Sequence, residues 1–192
     1  MRAVPRVPPF DRPATYDDLV KLPDLMVAEI VDGELHASPR PAPRHAHAEL
    51  MVGNLLGPPH RDVGGEGRGG WRILPEPELH LAENVLVPDF AGWRHPRLAR
   101  LPDTAYITLV PDWICEIVSP STARLDRAKK LAIYARERVG HAWLLDPIAR
   151  TLEVLRLEHA RWSILATHAG DEVVRVEPFS EVELELRLFW SD

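Results

Sequence analysis

Two acidic residues interrupt segments of this sequence that are otherwise apolar. Asp89 lies between Val-Leu-Val-Pro and Phe-Ala-Gly-Trp, and Glu116 lies between Trp-Ile-Cys and Ile-Val. Because burying an unpaired carboxylate costs several kcal/mol, each acid needs a partner charge, a raised pKa or a metal ion. A salt bridge to an arginine would explain either residue alone. Two such acids in neighbouring predicted strands favour a divalent metal site.

A predicted helix follows the second acidic strand and supplies a cation. Asp126, Lys130 and Tyr134 are spaced four residues apart, so they share one helix face. The ammonium of Lys130 could orient a metal-bound water or stabilise the negative charge that develops during phosphodiester hydrolysis. The alternative is an ion pair of Asp126 and Lys130 in solvent, which contributes a few tenths of a kcal/mol. Lys129 is the adjacent candidate, but it would point about 100° away around the helix.

Other motifs in the chain carry less chemical information. Residues 65–70 match G-x-G-x-x-G, but a proline-rich loop precedes them and a predicted strand follows, so a flexible loop is expected. No P-loop, H-E-x-x-H or G-x-S-x-G motif occurs. His45 and His47 lack the i, i+4 spacing of a helical zinc site and are expected to be solvated or capping. Cys115, the single cysteine, is expected to be buried and unreactive.

Short strands and helices must position these residues. Thr15 predicts a helix N-cap, Asp32-Gly33 predicts a hairpin turn, and Gly140 predicts a helix C-cap. The predicted helices cover residues 15–22, 46–56 and 126–139, and a loop is expected at 57–70. The predicted strands cover 27–31, 34–37, 71–74, 78–81, 85–93, 113–119, 141–145, 151–157, 161–167 and 182–188. This order predicts a mixed α/β sandwich around a central sheet.

Length and composition predict one globular domain. The chain has 192 residues, of which 45% are hydrophobic and 27% charged, and we assign 1–13 as an irregular lead and 14–192 as the domain. No apolar run is long enough to cross a bilayer and no secretory signal is present, so a cytoplasmic protein without a membrane partner is expected. The net charge of −6 is unusual for a protein that binds phosphates non-specifically, although a basic groove can lie on an acidic molecule.

Taken together, the motifs resemble the putative restriction endonuclease family of the PD-(D/E)XK nuclease superfamily. The resemblance covers roughly residues 14–190. It is carried by Pro88-Asp89, Glu116-Ile-Val-Ser-Pro-Ser-Thr122, Asp126-x3-Lys130-x3-Tyr134, Gly140-His-Ala-Trp143-Leu-Leu-Asp-Pro147, Glu29-Ile-Val-Asp-Gly-Glu34, His47 and Leu188-Phe189-Trp190. It implies a fold of the α/β (α+β) class, a restriction-endonuclease-like core with a mixed central β-sheet flanked by helices.

The resemblance also implies a set of site residues. Asp89, Glu116 and the main-chain carbonyl of Ile117 would hold Mg²⁺ or Mn²⁺. The superfamily pattern has a lysine two residues after the glutamate, where this chain has Val118, so the resemblance assigns the lysine role to Lys130. We expect the two carboxylates to lie within about 5 Å of each other, close enough to share one ion.

Alternatives remain open for the role of Glu29 and for the overall function. Glu29 would be an auxiliary catalytic acid near the metal, with an exposed hairpin acid as the alternative. The implied function is a Mg²⁺-dependent endonuclease that hydrolyses DNA as a homodimer. The alternative is a non-catalytic binding or dimerisation module on the same scaffold, which the acidic charge and the three lysines favour. A glycosidase with two carboxylates is the weaker third interpretation, because no sugar-binding aromatic cleft is evident.

Overall fold

The computed structural model describes residues 11–23, 26–39, 41–60 and 70–191. The helices are α1 (Tyr16–Leu19), α2 (Pro43–His60), α3 (Ala123–Leu125) and α4 (Leu131–Arg136), with a π-helical turn at Asp126–Lys130 and a 3-10 helix at Leu186–Phe189. The strands are β1 (Met26–Val31), β2 (Glu34–Pro39), β3 (Trp71–Pro75), β4 (Leu79–Leu81), β5 (Asn84–Leu86), β6 (Phe90–Arg94), β7 (Trp113–Ile117), β8 (His141–Asp146), β9 (Thr151–Glu158), β10 (Arg161–Ala169), β11 (Val173–Val174) and β12 (Leu184–Glu185). The predictions for residues 1–10 and 61–69 lie outside the described residues.

A mixed six-stranded sheet forms the centre of the fold. Its order is β10-β9-β8-β7-β6-β3, with β7 and β8 parallel and the other neighbours antiparallel. A four-stranded sheet, β2-β1-β5-β4, lies beside it, and β11 and β12 form a small third sheet. This is the α+β arrangement, a mixed central sheet flanked by few helices, that the sequence analysis predicted. Among the described residues, no helix is both long and apolar enough to span a membrane.

The two faces of the central sheet bury different sets of apolar residues. Cys115 and Ile117 of β7 pack with α2 and the 3-10 helix, whereas Ile114 and Val118 pack with α4. Alternation along the strand therefore directs Glu116 to the α4 face, which it shares with Ile114 and Val118. Cys115 is fully buried, also as predicted.

The prediction of one strand over residues 85–93 is wrong, because these residues form two strands that belong to two different sheets. Segment β5 joins the four-stranded sheet through the pair Ile30–Val85, and β6 joins the central sheet. Buried Pro88 lies at the break, where a residue without an N–H cannot continue a ladder. The break leaves Asp89 at the junction of the two sheets.

The predicted helix over residues 126–139 is correct in place but wrong in detail. It begins at Ala123, passes through the π-helical turn and ends at Arg136. The left-handed residue after its end is Arg138, with φ 68°, and not Gly140. The Val139 N–H donates to the Tyr134 carbonyl at 2.9 Å, which closes the helix end. Gly140 instead allows a close approach, since a Cβ there would lie 3.2 Å from the Asp112 carbonyl oxygen.

Two other predicted boundaries are wrong, and the predicted hairpin turn at Asp32-Gly33 is confirmed. Helix α2 continues to His60, through the start of the predicted loop at 57–70. Only part of the predicted strand at 182–188 is extended, because residues 184–185 form β12 and the 3-10 helix begins at Leu186. Leu186 and Phe189 of that helix pack on the α2 side of the sheet. The turn between β1 and β2 has positive φ at Asp32 and Gly33, as the Asp-Gly pair predicts.

Candidate active site

Glu116 lies at the centre of a buried group of ionisable side chains. Its Oε1 and Oε2 lie 2.9 and 3.0 Å from Lys130 Nζ, and Oε1 also accepts a hydrogen bond of 2.7 Å from the Tyr134 hydroxyl. Lys130 Nζ lies 2.9 Å from Glu29 Oε1 and 3.8 Å from Asp126 Oδ1. We call the four charged residues, Glu29, Glu116, Asp126 and Lys130, the buried ion cluster. All four are buried, between 2% and 7% exposed.

Three separate elements bring the buried ion cluster together. Strand β7 supplies Glu116, the π-helical turn supplies Asp126 and Lys130, and β1 supplies Glu29. Lys130 therefore points towards Glu116, and the alternative of an ion pair with Asp126 in solvent is wrong. Lys129, the rejected candidate, points outward and forms an ion pair of 2.6 Å with Glu34.

Glu29 is part of this cluster, so the alternative of an exposed hairpin acid is wrong. Its Oε1 accepts a hydrogen bond of 2.8 Å from the Val87 N–H, and the Val87 carbonyl accepts one of 3.3 Å from Lys130. These contacts hold the chain just before the β5–β6 break. Because the strand breaks at this point, which the sequence analysis did not predict, Asp89 lies beside the cluster.

Charge is unbalanced inside the buried ion cluster. Burial raises the pKa of Glu116 well above its usual value and outweighs Lys130, while the nearby acids raise it further. Burial also raises the pKa of Asp126. Burial alone would lower the pKa of Lys130, but Glu116 and Glu29 raise it well above its usual value. Burial is the main cause for the two acids, and the three carboxylates around one ammonium leave an excess of negative charge that a proton or a cation must balance.

Asp89 is held beside the cluster by two donors. Its Oδ2 accepts a hydrogen bond of 2.6 Å from the Ile117 N–H, and its Oδ1 lies 2.6 Å from His45 Nε2. The β6–β7 ladder begins at the pair Phe90–Cys115, so Asp89 lies one residue before it, near enough for its charge to raise the pKa of Glu116. The side chain of Asp89 is 15% exposed and that of Glu116 is 3% exposed, so Asp89 is the nearer of the two to solvent.

The expectation that His45 is a solvated or capping histidine is wrong. Burial lowers its pKa, but the hydrogen bond and charge of Asp89 outweigh burial, and the net pKa is raised. A signal for this position was present, because His45 is in helical phase with Ala48, Val52 and Leu56, which are all buried. His47 lies on another side of α2, with Nε2 2.9 Å from the Leu188 carbonyl oxygen.

The donor set suits a hard divalent cation. Carboxylate and main-chain carbonyl oxygens are the ligands that Mg²⁺ and Mn²⁺ prefer, and Asp89 and Glu116 supply them beside a cluster with excess negative charge. Each carboxylate oxygen of both residues already has a protein donor. Within the described ranges, no three His, Cys, Asp or Glu side chains are already arranged around a metal position. Metal binding would therefore displace some of these contacts.

Comparisons with known proteins identify the family and the fold of the chain. A family model described as "Uma2: Putative restriction endonuclease" matches residues 13–188. The crystal structure of a putative nuclease belonging to DUF820 from Anabaena variabilis ATCC 29413 superposes with a TM-score of 0.70 at 22% sequence identity. That alignment covers 93% of this chain and 98% of the other, and it shows the shared fold. No curated protein matches the chain.

Proposed function

We propose, from the premise that this chain belongs to the Uma2 family of putative restriction endonucleases, that it is a metal-dependent endonuclease that hydrolyses DNA phosphodiester bonds. One observation carries the proposal. Three buried carboxylates surround a single ammonium beside the more exposed Asp89, and a divalent cation would balance their charge. A purely structural ion pair would need one carboxylate for one lysine.

Asp89, Glu116 and the main-chain carbonyl of Ile117 would hold Mg²⁺ or Mn²⁺. The cation, when bound, would polarise the phosphate and lower the pKa of a bound water. Asp89 would face the substrate, because it is the more exposed of the two carboxylates. His45 would orient Asp89 through the Oδ1 contact, and the Ile117 N–H would hold the other oxygen.

Lys130 would orient the attacking water and stabilise the negative charge that develops on the phosphate. An ammonium has three N–H donors, and here Glu29, Glu116 and the Val87 carbonyl surround it. Of these three contacts, the one with the Val87 carbonyl is the longest, at 3.3 Å, so it is the one that a water would replace most easily. Glu29 would keep the ammonium in place as an auxiliary acid.

The substrate, assembly and location follow as parts of the same proposal. DNA is the proposed substrate because the family is described as restriction endonucleases. A homodimer would supply two copies of the site, one for each strand of a duplex. The cytoplasm is the proposed location, since DNA is the substrate.

One observation favours a second function, the non-catalytic binding or dimerisation module. Both oxygens of Asp89 and of Glu116 already accept protein hydrogen bonds, so the described site is internally satisfied. The net charge of −6 also opposes non-specific binding of DNA. On this interpretation Lys130 replaces the metal ion permanently.

Mn²⁺ binding and plasmid cleavage separate the two functions. We expect the wild-type protein to bind Mn²⁺ in calorimetry and to convert supercoiled plasmid to nicked or linear DNA when Mg²⁺ or Mn²⁺ is added. Asp89→Asn should lose both properties while keeping its melting temperature within a few degrees. Asp112→Asn is the matched control, because Asp112 accepts the Arg94 N–H outside the site and should keep both properties. A wild-type protein that binds no Mn²⁺ and cuts no DNA would overturn the proposed nuclease and favour the non-catalytic module.

A further inference from the structure

We propose that Tyr134 is a positioning residue that holds the Glu116 carboxylate in its metal-binding orientation. This inference rests on the proposed nuclease function and goes beyond it, because neither the family match nor the predicted site residues include a role for Tyr134. Tyr134 is 0% exposed, and its hydroxyl lies 2.7 Å from Glu116 Oε1.

The ring of Tyr134 has one fixed place in the fold. It packs on the α4 face of the sheet with Ile114, Val118 and Leu131, in the same apolar cluster. Glu116 is the only acceptor of its hydroxyl among the described residues. A hydroxyl on a packed ring with a single partner cannot follow the carboxylate to another position, so it fixes where Oε1 lies.

Lys130, the other donor to Glu116, cannot do this alone. Its ammonium is shared with Glu29 and the Val87 carbonyl, and in the proposed reaction it must also reach water. Its contacts therefore change during a catalytic cycle. Tyr134 makes no other contact that the reaction needs, so it is the constant partner of Glu116. Carboxylates that bind metals are commonly oriented by such an outer hydrogen bond, whose loss costs about 10–100-fold in metal affinity or activity.

Tyr134→Phe tests the inference, because it removes one oxygen and keeps the packed ring. We expect Mn²⁺ affinity, measured by calorimetry without DNA, to fall about 10-fold or more. With DNA, kcat should fall about 10–100-fold while KM changes less than about twofold, since the substrate does not touch Tyr134. A crystal structure of the variant should show the Glu116 carboxylate rotated away from its wild-type position.

Tyr16→Phe is the matched control. Tyr16 also donates to a glutamate, Glu78 Oε1 at 2.9 Å, but it lies outside the buried ion cluster. This variant loses the same kind of hydrogen bond and should keep wild-type Mn²⁺ affinity, kcat and KM. The melting temperature of each variant, measured beside its activity, identifies any loss of activity that follows only from reduced stability.

The outcomes separate this inference from the proposed function. Wild-type protein that binds Mn²⁺ and cuts DNA, with a folded Tyr134→Phe variant of equal affinity and kcat, overturns the role of Tyr134 alone. Wild-type protein that neither binds Mn²⁺ nor cuts DNA overturns the proposed function and this inference with it. If Tyr134→Phe does not fold, replacement by 3-fluorotyrosine changes the donor strength without removing the hydroxyl. A changed Mn²⁺ affinity then supports the inference, and an unchanged one overturns it.

Discussion

Removal of one buried negative charge should stabilise the metal-free protein. Glu116→Gln keeps the shape of the side chain and an acceptor for Tyr134, while Lys130 keeps Glu29 and Asp126 as partners. The ammonium is thus not left unpaired, which is the usual reason that breaking a buried ion pair is costly. The variant replaces three carboxylates around one ammonium by two.

The expected gain follows from the direction of the pKa shift. The folded pKa of Glu116 is raised above its unfolded value, mainly by burial, so ionising it in the folded state costs free energy. One unit of such a shift corresponds to about 1.4 kcal/mol. Because the variant also loses part of its contact with Lys130, we expect its free energy of unfolding to exceed that of the wild-type protein by only about 1–2 kcal/mol at pH 8. For a chain of this length that raises the melting temperature by about 2–8 °C.

The stability gain of Glu116→Gln should increase as the pH rises. Because the folded pKa is raised, the stability linked to protonated Glu116 is fully present below the unfolded pKa and is lost as the pH rises through the folded pKa. Glutamine does not titrate, so the advantage of the variant should be small near pH 4.5 and should grow towards pH 8. Added Mn²⁺ should reverse the order by stabilising the wild-type protein alone.

Thermal unfolding in EDTA from pH 4.5 to pH 8.5 measures this effect. Glu153→Gln is the matched control, since Glu153 pairs with the more exposed Arg127, and an exposed pair contributes about 1 kcal/mol or less. The reasoning is refuted if Glu116→Gln is less stable than the wild-type protein at pH 8 in EDTA. A stability difference that does not change with pH would refute it equally.

Three other substitutions test the remaining structural conclusions. Lys130→Met leaves three buried carboxylates without a cation, so the free energy of unfolding in urea should fall by about 3–5 kcal/mol. Lys129→Met, at the exposed ion pair, should lower it by less than about 1 kcal/mol. Equal losses in the two variants would contradict the buried position of Lys130. Arg138→Gly should raise the free energy of unfolding by about 0.5–1 kcal/mol, because φ is 68° there, and a loss would contradict the assigned helix end. Gly140→Ala should cost about 1–3 kcal/mol by thermal unfolding, since its Cβ would approach the Asp112 carbonyl oxygen to 3.2 Å; a neutral result would contradict the close approach.

Local patterns in the sequence were sufficient for several features of the site. Apolar alternation around Glu116 determined which sheet face it occupies, because side chains alternate strictly along a strand. The four-residue spacing of Asp126, Lys130 and Tyr134 determined that they share a helix face, and the π-helical turn did not separate them. The Asp32-Gly33 turn followed from the backbone conformation that these two residues tolerate.

Only the tertiary structure decided which distant residues meet. Glu29 reaches Lys130 from the four-stranded sheet, and His45 reaches Asp89 from α2, although neither local sequence contains any trace of its partner. The break at Pro88 was hidden because the residues on both sides are apolar, and burial in two different sheets selects the same residue types as burial in one. The periodicity of apolar residues in a sequence shows which face of a strand or helix a side chain lies on. The partner on that face depends on how separate elements pack, so the charge balance of the site became visible only in the folded chain.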